Sequence, residues 1–254
     1  MKKLLAITAL SAALFFGQTA VAEEKAAEEV KPSHVEMVLV LDESGSMSDL
    51  TRDTIGGFNS MIEKEKKLDV DAHVTTVLFN DQYKMLYNRR ELKDVSKMTD
   101  KDYTPGGMTA LLDAVGRTIH KMDMVAGIHR KDKVNKVLFV IITDGEENDS
   151  KEYTYADVKK LIKDRQENAG WEFIFLGANI DAAAAAENLG IDRDRAVKYK
   201  NTGSGVRANF KAVAELSDSL AKSGRVSDRW KETVEKDEDD AADKQSAAVT
   251  SHRR

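Results

Sequence analysis

Asp42, Ser44 and Ser46 stand two residues apart in the stretch Leu41-Asp42-Glu43-Ser44-Gly45-Ser46. A carboxylate and two hydroxyls at that spacing offer hard oxygen donors, which suit Mg²⁺ or Mn²⁺ and not the ions that prefer cysteine and histidine. The apolar run before them, Val35 to Leu41, reads as a buried strand that ends where the donors begin. The same three residues also fit a serine-rich turn capping the next helix, so this stretch alone leaves both readings open. Two later segments carry the same kind of donor. Thr109 follows a Thr-Pro-Gly-Gly loop at 104–107, and Asp144 follows Val134 to Thr143, the most apolar strand candidate in the chain.

The elements that must position these residues alternate. Leu50 to Lys66 carries Leu50, Ile55, Phe58, Met61 and Ile62 near helical spacing. Gly56-Gly57 within it is read as permitting close helix–sheet approach. Asp71 to Phe79 is β-branched and alternating, and Tyr83 to Tyr87 returns after an Asn80-Asp81 turn as a hairpin partner. A helix follows with Leu111, Leu112, Val115, Ile119 and Met122 on one face. Helices at Tyr155 to Glu167, Asp181 to Leu189 and Val206 to Leu220 alternate with strands at Trp171 to Leu176 and Ala196 to Tyr199. This pattern predicts an α/β fold in three layers, a doubly wound and mostly parallel sheet with one antiparallel edge strand. In such a sheet ligands bind at the carboxyl ends of the strands, where all three donor groups fall.

The order of these donors, the Thr-Pro-Gly-Gly-x-Thr loop and the Thr-Asp-Gly ending resemble the von Willebrand factor A domain and its metal-ion-dependent adhesion site. The resemblance runs from about Val35 to Leu220. It implies that Ser44 and Ser46 bind Mg²⁺ or Mn²⁺ directly, and that Thr109 does so when a ligand is engaged. It implies that Asp42 and Asp144 bind directly or through water, and that one coordination position stays open for an Asp or Glu carboxylate of a partner protein. The charges agree: two carboxylates neutralise a divalent ion and three hydroxyls add none, so the ion stays attractive to a third carboxylate. Glu43, Met47, Met108, Glu146, Glu147, Asn148 and Asp149 are expected to line the rim. Asp49 is explained by charge placement at a helix start rather than by a second ion site.

Composition narrows the function. The chain has 254 residues, 41% hydrophobic and 33% charged, with a net charge of −5. That balance speaks against nucleic acid as the main partner. The absence of cysteine excludes disulfides, thiolate metal sites and a cysteine nucleophile. The five histidines are scattered without a metal-site spacing in sequence. Lys2 and Lys3, the apolar stretch Leu4 to Phe16 and Ala20-Val21-Ala22 read as a signal peptide cut after Ala22. Losing both lysines takes the net charge from −5 to −7. Residues 23–33 read as a flexible linker, 34–223 as the domain, and 224–254 as a disordered tail with an acidic run from Glu235 to Asp243. The expected product is periplasmic or secreted, with no membrane anchor after cleavage. It is expected to be a binding module and not an enzyme. The alternatives are an accessory subunit of an ATPase or chelatase-type complex, against which the signal peptide argues, and a metal-dependent hydrolase, for which Glu146 and Glu147 are the nearby bases. A tail carboxylate reaching the open metal position is a further regulatory alternative, set against a solubilising tail.

Overall fold

The computed structural model describes residues 34–126, 135–227 and 229–237. The expected signal peptide and linker lie outside these residues, as does the acidic run beyond Asp237. No described helix is long and apolar enough to cross a membrane.

Six strands form one sheet: β1 (His34–Asp42), β2 (Ala72–Phe79), β3 (Tyr83–Glu91), β4 (Asn135–Thr143), β5 (Glu172–Gly177) and β6 (Ala196–Lys198). Their order is β3-β2-β1-β4-β5-β6, and only the β2–β3 pair is antiparallel. The fold is therefore the expected doubly wound α/β sheet with one antiparallel edge. Chain direction across the sheet reverses between β1 and β4, the place where such sheets open a crevice beyond their strand ends.

Alternation along the central strands builds two cores. Met37, Leu39 and Leu41 of β1, with Leu138, Val140 and Ile142 of β4, face α1 (Thr51–Lys67) and α5 (Gly203–Ser223). Val38 and Val40, with Phe139 and Ile141, face α2 (Leu111–Ala126), α3 (Tyr155–Ala169) and α4 (Ala182–Leu189). Burial on both faces explains why β1 and β4 read as near-continuous apolar runs. Capping follows local chemistry: Thr154 and Asp157 form a capping box on α3, and the side chain of Asp181 accepts from Ala184 N at the start of α4.

The structure departs from the sequence reading in two places. The close approach at Gly56-Gly57 is helix to helix: a Cβ on Gly57 would meet Phe210 of α5 at 2.5 Å, whereas one on Gly56 meets nothing. The packed chain also continues past Gly224, where the tail was expected to begin. Gly224 ends α5 in a left-handed conformation, and Val226, Trp230 and Val234 then enter the same core as α1 and α5. Val226 and Trp230 lie in the connecting segment, and Val234 lies in the helical segment 232–237.

Candidate metal centre

The ends of β1 and β4 meet at the crevice. Asp42 closes β1, and its side chain is almost fully enclosed. Its Oδ1 accepts from Ser44 N at 2.7 Å, and its Oδ2 accepts from the Thr143 hydroxyl at 2.6 Å. Tyr103 donates to the Asp42 carbonyl at 2.6 Å, fixing the strand end from beneath. Burial pushes the Asp42 carboxyl above its ordinary value against the hydrogen bonds from Ser44 and Thr143, and the Asp144 charge adds to that push.

Ser44 precedes the short helical turn Gly45–Leu50 as its N-cap residue, and Ser46 lies within it. Their hydroxyl oxygens lie 3.1 Å apart, and Ser46 donates to Asp144 Oδ1 at 2.6 Å. Asn201 donates to Asp144 Oδ2 at 3.3 Å from the far side, while its own Oδ1 is buried without a partner.

Thr109 arrives on the glycine loop. Gly45 N donates to Gly107 O and Gly106 N to Glu43 O, which ties the loop to the Asp-x-Ser-x-Ser turn. Gly107 adopts φ +75, and a Cβ there would run into the Asp81 carboxylate, so the loop tolerates only glycine at this point. Thr109 N donates to Asn148 Oδ1 at 2.9 Å, and Asn148 N donates back to Thr109 O at 3.0 Å. This reciprocal pair holds Thr109 beside the loop that follows β4. An ideal Cβ on Gly145 would lie 3.8 Å from the Thr109 hydroxyl and 4.0 Å from the Ser46 hydroxyl, so the two flank one small space.

The structure thus brings all five predicted residues to one strand-end crevice. Two carboxylates and three hydroxyls from three loops are a donor set that fits a small hard divalent cation. The rim differs from the expectation. Met47 is buried in the core under the turn, and Glu43 is buried with Oε1 accepting from Lys84 and from Thr104 N. Glu147 is also committed: it accepts from Leu112 N, Asp149 N and Ser150 N, and so organises the start of α2 and the loop after β4. Met108, 51% exposed, and the exposed Glu146 do stand at the rim.

A doubly wound sheet with this donor set at its switch point defines a von Willebrand factor A-type domain. A family profile described as the von Willebrand A domain found in the TerF C terminus matches residues 34–190, more than half of the chain. The chain belongs to this family. Comparison with curated protein sequences returns no match. Among solved structures, it is similar to the pilus adhesin SpaC from Lactobacillus rhamnosus GG, at 14% identity and TM-score 0.57, over 76% of this chain and 31% of that one. It is similar to the PilB minor pilin from Streptococcus sanguinis, at 13% identity and TM-score 0.53, over 76% and 62%. It is also similar to proximal thread matrix protein 1 from the mussel byssus, determined with a zinc-occupied adhesion-site motif, at 14% identity and TM-score 0.51, over 73% and 48%. At these identities the likeness is one of fold, and the chain spans less than two thirds of each of those proteins.

Proposed function

We propose that this chain is an exported binding module that captures a protein partner through an Asp or Glu side chain. Asp42, Ser44, Ser46, Thr109 and Asp144 would hold Mg²⁺ or Mn²⁺, and the ion would supply an open coordination position to the incoming carboxylate. The observation that carries the reading is the Ser46–Asp144 hydrogen bond, which joins the donor loops of β1 and β4 into one cluster. Thr109, held by Asn148, faces the same space. Two solved proteins of similar fold, a pilus adhesin and a mussel byssus protein with a zinc-occupied adhesion-site motif, fit a binding role. The export assignment rests on the leader-like residues 1–22.

Of the two acids that could serve the hydrolase alternative, the geometry removes Glu147 as a base and leaves Glu146 exposed at the rim. A water-activating base needs a free carboxylate aimed at the site. Glu147 spends both oxygens on backbone N–H groups and the Ser150 hydroxyl. Carboxylate capture makes a sharp prediction for Thr109→Ala. The purified chain should retain a partner from envelope extract in Mg²⁺ and lose it in EDTA. The Thr109→Ala chain should lose it even in Mg²⁺. Retention of the same partner in all three lanes would overturn the proposal.

A further inference from the structure

The start of β1 carries a second cluster, about 26 Å along the strand from Asp42 at the usual rise per residue. The parallel register places Glu36 directly beside His73 of β2. His34, two residues before Glu36, points to the same face of the sheet. Histidines far apart in sequence thereby meet. His34 Nε2 lies 2.8 Å from His73 Nδ1, and Glu36 Oε1 lies 3.3 Å from each of these nitrogens. The other ring nitrogen of His34, Nδ1, lies 2.9 Å from Asp71 Oδ1.

We propose that His34, Glu36 and His73 form a binding site for a divalent transition ion of the Zn²⁺ class, separate from the adhesion-type site. Two edges of the donor triangle, 3.3 Å each, match the ligand spacing around a tetrahedral ion whose bonds to nitrogen and oxygen are about 2.0–2.2 Å, and the 2.8 Å edge between the two histidine nitrogens would open by about 0.5 Å to admit it. The donors are two imidazoles and one carboxylate, a set that suits Zn²⁺ and differs from the all-oxygen set at the other end of the sheet. Asp71 occupies the position that carboxylates take behind metal-ligating histidines. It fixes the His34 tautomer with the proton on Nδ1 and leaves Nε2 free to donate its lone pair. The ion would replace the proton that His34 Nε2 and His73 Nδ1 share.

His34 and Glu36 are buried, while the His73 side chain is 18% exposed and opens with His34 and Asp71 onto a surface depression of about 420 Å³. The fourth coordination position would face that depression. Arg89 holds Glu36 through both oxygens, donating from Nε to Oε2 at 3.0 Å and from Nη2 to Oε1 at 2.5 Å. It sits in a β-bulge of β3 at φ +45, a conformation that few non-glycine residues adopt. A carboxylate oxygen has two lone pairs, so Oε1 keeps one for the ion. The guanidinium charge sets a limit on affinity, and binding in the micromolar range is the expectation.

The test uses the purified, untagged chain carrying Asp144→Asn, so that the first site is disabled, with Mg²⁺ in excess. Zn²⁺ calorimetry should give one site per chain, and Co²⁺ should give the visible bands of a tetrahedral nitrogen–oxygen site. His73→Gln, on the partly exposed ligand, should weaken Zn²⁺ at least tenfold while circular dichroism stays unchanged. His73→Cys should keep Co²⁺ binding and add a thiolate-to-cobalt charge-transfer band, which no structural role of His73 produces. A flat Zn²⁺ titration, or equal Zn²⁺ affinity in His73→Gln, would overturn the proposal and leave a self-satisfied polar network. A His73→Cys chain without the new band would equally remove His73 from the ligand set.

Discussion

Replacing Trp230 with alanine is expected to destabilise the fold by about 3–5 kcal/mol. Trp230 is only 1% exposed and shares a core with Val226, Val234 and the inner face of α5, including Val213, Leu216 and Leu220. Neighbouring contacts anchor the segment: Thr233 donates to Glu215 Oε2 at 2.9 Å, and Lys231 Nζ donates to Arg193 O at 3.0 Å. An indole removed from a close-packed core leaves a cavity that the surrounding side chains fill only in part. Urea unfolding should show the loss as a lower midpoint at an unchanged slope. A change below about 1 kcal/mol would mean that the segment after Gly224 contributes nothing to the fold, as expected of a solvated tail.

The second large effect depends on pH. Glu65 of α1 is 0% exposed, faces α5, and accepts from the Ser217 hydroxyl at 2.7 Å through Oε2. Its Oε1 is buried without a partner. Burial pushes this carboxyl up to about 7 from 4.5, the hydrogen bond from Ser217 opposes the push, and the Asp218 charge adds to it. In the unfolded chain the group ionises near its ordinary value. Between pH 4.5 and 7 the folded state therefore binds more protons than the unfolded one, and stability falls as pH rises through that window. Above it the loss is complete and amounts to about 3 kcal/mol at 1.36 kcal/mol per pH unit. Glu65→Met should remove this dependence. It should stabilise the fold by about 2–3 kcal/mol at pH 8 and change little at pH 5, with Ser217 turning to a carbonyl of its own helix. Denaturant midpoints at the two pH values check it, and parallel pH profiles for the two chains would contradict it.

Much of this was readable from local chemistry. The strands β1 and β4 announce themselves because both faces are buried, so Met37 to Leu41 and Val137 to Ile142 are apolar throughout as they approach the crevice at Asp42 and Asp144. The donor residues stand out because hydroxyls and carboxylates sit where the apolar runs stop. What stayed hidden depends on packing across distance. Glu43 lies between two visible donors and Met47 follows a third, yet the short turn after Asp42 directs them inward, Met47 into the core and Glu43 onto Lys84 and Thr104 N. Gly57 serves Phe210, a partner more than 150 residues away. The domain reads as ending at residue 223 because the alternation of strands and helices stops there, and three apolar residues at 226, 230 and 234 are too few to signal a further packed segment. The His34–Glu36–His73 cluster has no sequence signature, because it depends on the register between β1 and β2.

The central claim is that Asp42, Ser44, Ser46, Thr109 and Asp144 hold one hard divalent ion. Its most direct test is a Mn²⁺ titration followed by electron paramagnetic resonance, with Mg²⁺ as competitor, on the native chain and on Asp144→Asn. The substitution keeps the side-chain shape and removes one carboxylate charge. The predicted result is a single Mn²⁺ site per chain that Mg²⁺ displaces and that Asp144→Asn weakens by about 100-fold or more. Equal Mn²⁺ binding by the two chains, or none by the native chain, would contradict the account.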